Sequence, residues 1–192
     1  MQKEEIEMFY PTNQEEWRTW LKKNHNVKQS IWLVCYKVSA KRSTIPWTNA
    51  VDEALCFGWI DSVRKTIDDE KFMQFFGKRK PSSGWSKINK AKVEKLITEG
   101  RMMEAGYESI KTAKQNGSWV LLDDVEELKI PEDLNVAFKT KEGSLDFFLS
   151  LSKSVRKSML QWITLAKRPE TRQNRIAEIV TLAAQKLKPK QF

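Results

Sequence analysis

A chain of 192 residues that is 40% hydrophobic and 31% charged has room for one domain, alone or with an appended module, and needs no covalent staple to fold. Its formal net charge of +9 is uneven: residues 1–76 are neutral, 77–116 carry +6, 117–150 carry −5 and 151–192 carry +8. No apolar stretch approaches the roughly 20 residues of a membrane helix, which excludes a helical membrane span.

Residues 1–12 have neither the basic start nor the apolar core of a secretory signal, so none is expected. Cys35 and Cys56 lie in apolar runs with no CxxC pair, which predicts buried, reduced thiols and a cytoplasmic protein. The two basic zones around an acidic connector suit an anionic partner, or cations resting on the connector's carboxylates.

In chain order, residues 6–10 read as a short strand stopped by Pro11. Thr12 and Glu15 have capping-box spacing, and Trp17, Trp20 and Leu21 give the following helix one buried face. SIWLVCYKV (residues 30–38) reads as a central strand. A basic turn spans residues 41–44. Pro46 then opens a helix with Trp47, Val51, Ala54 and Leu55 as its stripe, closed by Gly58 in a left-handed conformation. Residues 59–67 and 71–76 form a hairpin around Asp68-Asp69-Glu70, with Asp61 on the face of Trp59 and Val63 if the strand alternates.

Residues 77–84 form a loop. Helices over about 86–99 (Val93, Leu96, Ile97) and 103–116 follow, ended by Gly100 and Gly117. Residues 121–130 are an acidic crossing segment, and Pro131 starts a short helix with Leu134 and Phe138. Three more helical pieces carry Leu145, Phe148 and Leu149; then Leu151, Val155, Met159, Trp162 and Ala166; then, after Pro169, Ile176, Ile179, Val180, Ala183 and Leu187. The fold class is α+β: a small antiparallel sheet packed with helices (residues 1–120), followed by a helical C-terminal module (121–192), either separate or packed on the first as one globule.

Tryptophans and glycines crowd the segments ALCFGWIDS (54–62) and GKRKPSSGWSKIN (77–89). Asp61, a carboxylate on an apolar face, is either a binding or acid–base group or a structural one, ion-paired with an arginine such as Arg79 or Arg101 or hydrogen-bonded to a turn. The loop before Trp85 leads into a helix N-terminus, which favours anions. Ser83 or Ser86 would cap that helix, and Arg79 and Lys87 would add charge. Asn89 and Arg101 either complete a pocket with Asp61 or hold helix ends. Arg168, Arg172 and Arg175, spaced by four and three, share a helix face with Lys167 nearby: a solvated face or a phosphate-contacting one. His25 is the single histidine, which excludes a multi-histidine metal site, and Cys56 reads as core rather than nucleophile. No dinucleotide, P-loop, zincin or EF-hand motif occurs, so neither cofactor nor metal is expected.

EEWRTWLKKNH (15–25), SIWLVCYK (30–37), EALCFGWIDS (53–62), WSKIN (85–89), EGRM (99–102), AGYESIKTAKQNGSW (105–119), IPEDL (130–134) and WITLAKRPETRQNRI (162–176) together resemble the YdeI/OmpD-associated, or bacteriocin-protection, family. The resemblance implies a small bacterial protein connected with envelope stress or toxin tolerance. It also implies, for the N-terminal part, similarity to the YjbR/CyaY-like group and its compact α/β sandwich. That group includes both DNA-binding candidates and frataxins, and frataxins use an acidic helix face for iron. Here Arg18, Lys22 and Lys23 interrupt Glu15 and Glu16, so no iron function is carried over, and the family supplies no catalytic set.

The favoured reading is a binding or stress-tolerance protein, not an enzyme, with a small pocket near Trp59 and Trp85. Asp61, Arg79, Ser83, Trp85, Ser86, Asn89 and Arg101 are its ligand-binding candidates, and its partner is a small anionic ligand or a protein. One alternative is nucleic-acid binding through residues 77–116 and 151–192, using Lys78, Arg79, Lys80, Lys87, Lys167, Arg168, Arg172 and Arg175. The other is an enzyme using Asp61.

Overall fold

Alternation decides the centre of the sheet. In strand β2 (Ser30–Tyr36), Ile31, Leu33 and Cys35 share one face and are buried, while Ser30, Trp32 and Tyr36 on the other face are half-buried. The computed structural model describes residues 6–42 and 44–192. Residues 1–5, part of the tract read for a signal, and Ser43 of the basic turn lie outside the described residues.

Strand β2 pairs antiparallel with β4 (Lys71–Lys78), and β4 pairs antiparallel with β3 (Trp59–Thr66), the expected hairpin. The short β1 (Met8–Phe9) joins β2 in parallel, giving the order β1-β2-β4-β3. The antiparallel expectation is corrected at that edge. The chain passes from β1 to β2 through a helix, and such a crossover returns in the same direction.

That helix, α1 (Gln14–Asn24), starts one residue later than the capping-box spacing predicts. Asn13 is the cap, accepting from the Glu16 amide at 2.9 Å, and the Glu16 carboxylate reaches back to the Thr12 amide at 2.8 Å. Helix α1 packs on α2 (Trp47–Cys56), where the buried Trp17 indole donates to the Ala50 carbonyl at 3.0 Å. Trp17 also meets Phe76 with ring centroids 5.4 Å apart, which places the helices on the Ile31–Leu33–Cys35 face. Trp47 leaves the expected stripe: it is 50% exposed at the first turn of α2.

Helices α3 (Lys87–Thr98) and α4 (Glu104–Gln115) follow. Val93 and Leu96 of α3 are buried, whereas Ile97 is exposed. Both cysteines are buried and free.

The chain divides into two compact units, Met1–Ser83 with Ile88–Trp119, and Gly84–Lys87 with Val120–Phe192. The second contains α5 (Asp123–Glu126), α6 (Glu132–Phe138), α7 (Ser144–Ser150), α8 (Lys153–Thr164) and α9 (Pro169–Ala184). Its core joins Leu134, Phe138, Phe148, Met159, Ile163 and Ile179. Leu149 and Leu187 are exposed, against expectation. Helix α9 ends at Ala184 and Lys186 turns left-handed, which carries Leu187 off the stripe.

The acidic connector meets part of the C-terminal positive charge. Lys157 pairs with Glu126 at 2.5 Å, and Arg172 grips Asp133 through Nε and Nη2 at 2.6 and 2.9 Å.

Candidate functional site

Where α2 hands over to β3, the first unit carries a cleft of about 380 Å³. Gly58 makes the junction. It closes α2 at φ +69, and a Cβ there would stand 2.7 Å from the Ala105 carbonyl oxygen of α4, so only glycine lets the two segments approach. Its carbonyl accepts from the Arg79 amide at 2.9 Å, which brings the end of β4 to the same place.

The last turn of α1 supplies the third side. His25 caps that helix, with ring Nδ1 2.9 Å from the Leu21 carbonyl and the ring 5.1 Å from that of Phe57. The Trp59 indole donates to the His25 carbonyl at 3.4 Å, and Lys78 Nζ donates to the Asn26 carbonyl at 2.9 Å. These donors answer carbonyls that a helix end leaves open. His25, Lys78 and Arg79 therefore share one cleft with the hydroxyls of Ser109 and Thr112, and Glu108 is the carboxylate in its lining. Burial lowers the Arg79 guanidinium to about 10, against the pull of the Asp61 charge.

Asp61 is half-buried on β3. It accepts from the Trp47 indole at 3.1 Å and from the Gln74 amide at 3.4 Å. Burial raises its pKa; Trp47, its own backbone amide, Arg79 and Lys92 oppose the rise without cancelling it. A bulge between Asp61 and Arg64 inserts a residue, so Arg64 takes the position that plain alternation gives Val63. Arg64 lies 3.7 Å over the Phe72 ring, and Val63 is exposed.

Arg101 serves a different cluster. Its Nη2 bonds Glu53 Oε1 at 2.6 Å and its Nη1 bonds Glu99 at 2.9 Å. Glu53, 2% exposed, also receives Arg18 at 2.6 Å and Gln14 at 2.5 Å. Burial pushes Glu53 up, but the hydrogen bonds of Gln14, Arg18 and Arg101 outweigh it and hold the carboxyl below the usual range. The sequence reading missed Glu53, although a carboxylate one residue before the Ala54-Leu55 stripe was a legible signal.

Of the remaining ligand candidates, Ser83 closes a turn, its amide donating to the Lys80 carbonyl at 2.9 Å. Trp85, fully buried, and Ser86 belong to the second unit, and Asn89 is half-buried in the first turn of α3.

Among the nucleic-acid candidates, Lys80, Lys87, Lys167 and Arg168 are exposed. Arg172 is committed to Asp133. Arg175 donates to the Trp162 carbonyl at 2.5 Å and lies 4.9 Å over that ring. Among the described residues no three histidine, cysteine or carboxylate side chains gather as a metal site.

Residues 127–186, which hold α6 to α9, match the model described as bacteriocin-protection, YdeI or OmpD-associated. The end-to-end resemblance is thus carried by the C-terminal part, and the YjbR/CyaY-like grouping of the N-terminal part gains no support. No curated protein and no solved structure matches the chain. Residues 9–109, more than half of the chain, match the model of a domain of unknown function, DUF8412, and it is to this family that the chain belongs.

Proposed function

We propose that the chain is a bacterial binding protein whose cleft beside Trp59 takes a small anion carrying a phosphate or carboxylate. One observation carries the reading: His25, Lys78 and Arg79 converge with two hydroxyl donors on a single cleft of about 380 Å³. A desolvated guanidinium binds an oxyanion more strongly than an exposed one, because little water competes for it. Burial brings Arg79 down only to about 10, with the Asp61 charge opposing the fall, so the guanidinium is charged at neutral pH.

The bacteriocin-protection name of the C-terminal match supports a role in stress tolerance, and two buried thiols suit a cytoplasmic location.

The test is calorimetric titration with inorganic phosphate and with citrate, followed by Lys78→Gln and Ser109→Ala. The expected result is saturable binding that each substitution weakens about tenfold, the worth of one charge-assisted hydrogen bond. Absence of heat and of thermal stabilisation with both anions would remove the proposal.

A further inference from the structure

The sheet has a second face, opposite α1 and α2, and its register sets side chains there in rows. Met8, Trp32 and Phe75 form one row across β1, β2 and β4; Val34, Met73 and Lys65 form the next across β2, β4 and β3; Tyr36 and Lys71 form a third. Trp32, Tyr36, Met73 and Phe75 are half-buried and Met8 is 48% exposed, while Val34 in the middle row is buried beneath them, so the face is apolar and reaches solvent through its aromatic side chains. Trp32 and Phe75 meet edge to face at 5.1 Å.

Cations rim this aromatic floor. Lys65 Nζ lies 5.0 Å from the Trp32 ring centre and the Arg42 guanidinium 5.3 Å from that of Tyr36. Of the nearby carboxylates, Glu70 lies 3.8 Å from Arg42 in an exposed pair, which yields readily to a competing anion, whereas Asp68, 3.1 Å from the half-buried Lys71, is held in the turn by the Glu70 and Lys71 amides.

We propose that this face binds single-stranded nucleic acid, with bases stacked on Trp32 and Phe75 and the backbone phosphates against Lys65 and Arg42. The chemistry selects the partner. A sugar ring would use the aromatics and leave the cations idle. A duplex hides its base faces, whereas a single strand offers both π-surface and phosphate. The +9 net charge attracts polyanions to the molecule as a whole but lies outside the neutral residues 1–76, so it is Lys65 and Arg42 that select this face. The surface differs from the basic zones read in the sequence and does not include the anion cleft.

The test is fluorescence anisotropy of a labelled oligouridylate of about 12 nucleotides. Binding is expected at about 50 mM salt and falls steeply by about 200 mM, because phosphate contacts release counterions. Trp32→Ala weakens it about tenfold or more, the worth of one base stack. Lys65→Glu weakens it and lowers the salt slope, and Lys167→Glu leaves it unchanged. The proposal is overturned by no retention at the lower salt, by equal retention in Trp32→Ala and Lys65→Glu, or by a loss that follows Lys167→Glu instead. Capture of phosphatidylglycerol vesicles without oligouridylate binding overturns it too. Should Trp32→Ala fail to fold, the exposed Lys65→Glu decides.

Discussion

Two carboxylates of the first unit, Glu53 and Asp61, are desolvated to opposite effect. Glu53 is surrounded by donors, and its folded pKa lies below the ordinary 4.5. Its contribution to stability is therefore present at neutral pH and is lost as pH falls through the folded value. Removing one partner of a buried pair costs about 3–5 kcal/mol; the guanidiniums here are partly exposed, so Glu53→Gln is expected near the lower end. Asp61 has the reverse sign. Its folded pKa lies above the ordinary 3.8, so stability falls as pH rises through that range, and its charge is a cost at pH 7. Asp61→Asn is expected to raise the melting temperature at pH 7 and to lose that gain near pH 4, whereas Glu53→Gln lowers it at pH 7. Thermal melts of both variants at the two pH values check the pair of signs. Arg79, at about 10, keeps its charge at pH 7 without Asp61, so Asp61→Asn removes a negative charge near the cleft and is expected to strengthen phosphate binding, checked by calorimetric titration.

At the scale of elements, the junction between α2 and β3 sets the cleft. Gly58→Ala would need a left-handed alanine, a cost of about 1–2 kcal/mol, and would press its methyl on the Ala105 carbonyl. The expected outcome is a lower unfolding midpoint in urea and weaker anion binding together, because α4 must retreat and takes Ser109 and Thr112 with it. Gly106 is equally constrained, since a Cβ there would stand 2.5 Å from the Cys56 carbonyl. Both glycines lie in segments the sequence marks out, but only Gly58 was readable, from its place after an apolar helical stripe. Gly106 sits inside a helix, and its partner is 50 residues away in the chain. The bulge at Ser62 and Val63 was equally hidden. Strict alternation and a one-residue insertion look alike until the partner strand fixes the register.

At the scale of the molecule, there are two units and the second has its own apolar core. A cavity in that core should loosen the helices built on it first. Ile163→Ala, at a fully buried position of α8, is expected to cost about 2–5 kcal/mol. In hydrogen exchange the variant should lose protection in α6, α8 and α9 before β2 and β4. Equal loss in the sheet would show that the units unfold as one.

The sequence by itself determined the order and type of most elements, the absence among the described residues of a helix long and apolar enough to span a membrane, and the closing role of Gly58. Those follow from composition, periodicity and local backbone preference, which act over a few residues. Tertiary structure alone decided the rest. It gave Arg101 to Glu53 and Arg172 to Asp133, and set His25 beside Lys78 and Arg79. The physical reason is that charged side chains are long and can meet many partners. Which one they meet depends on where distant segments come to rest, and no spacing along the chain encodes that.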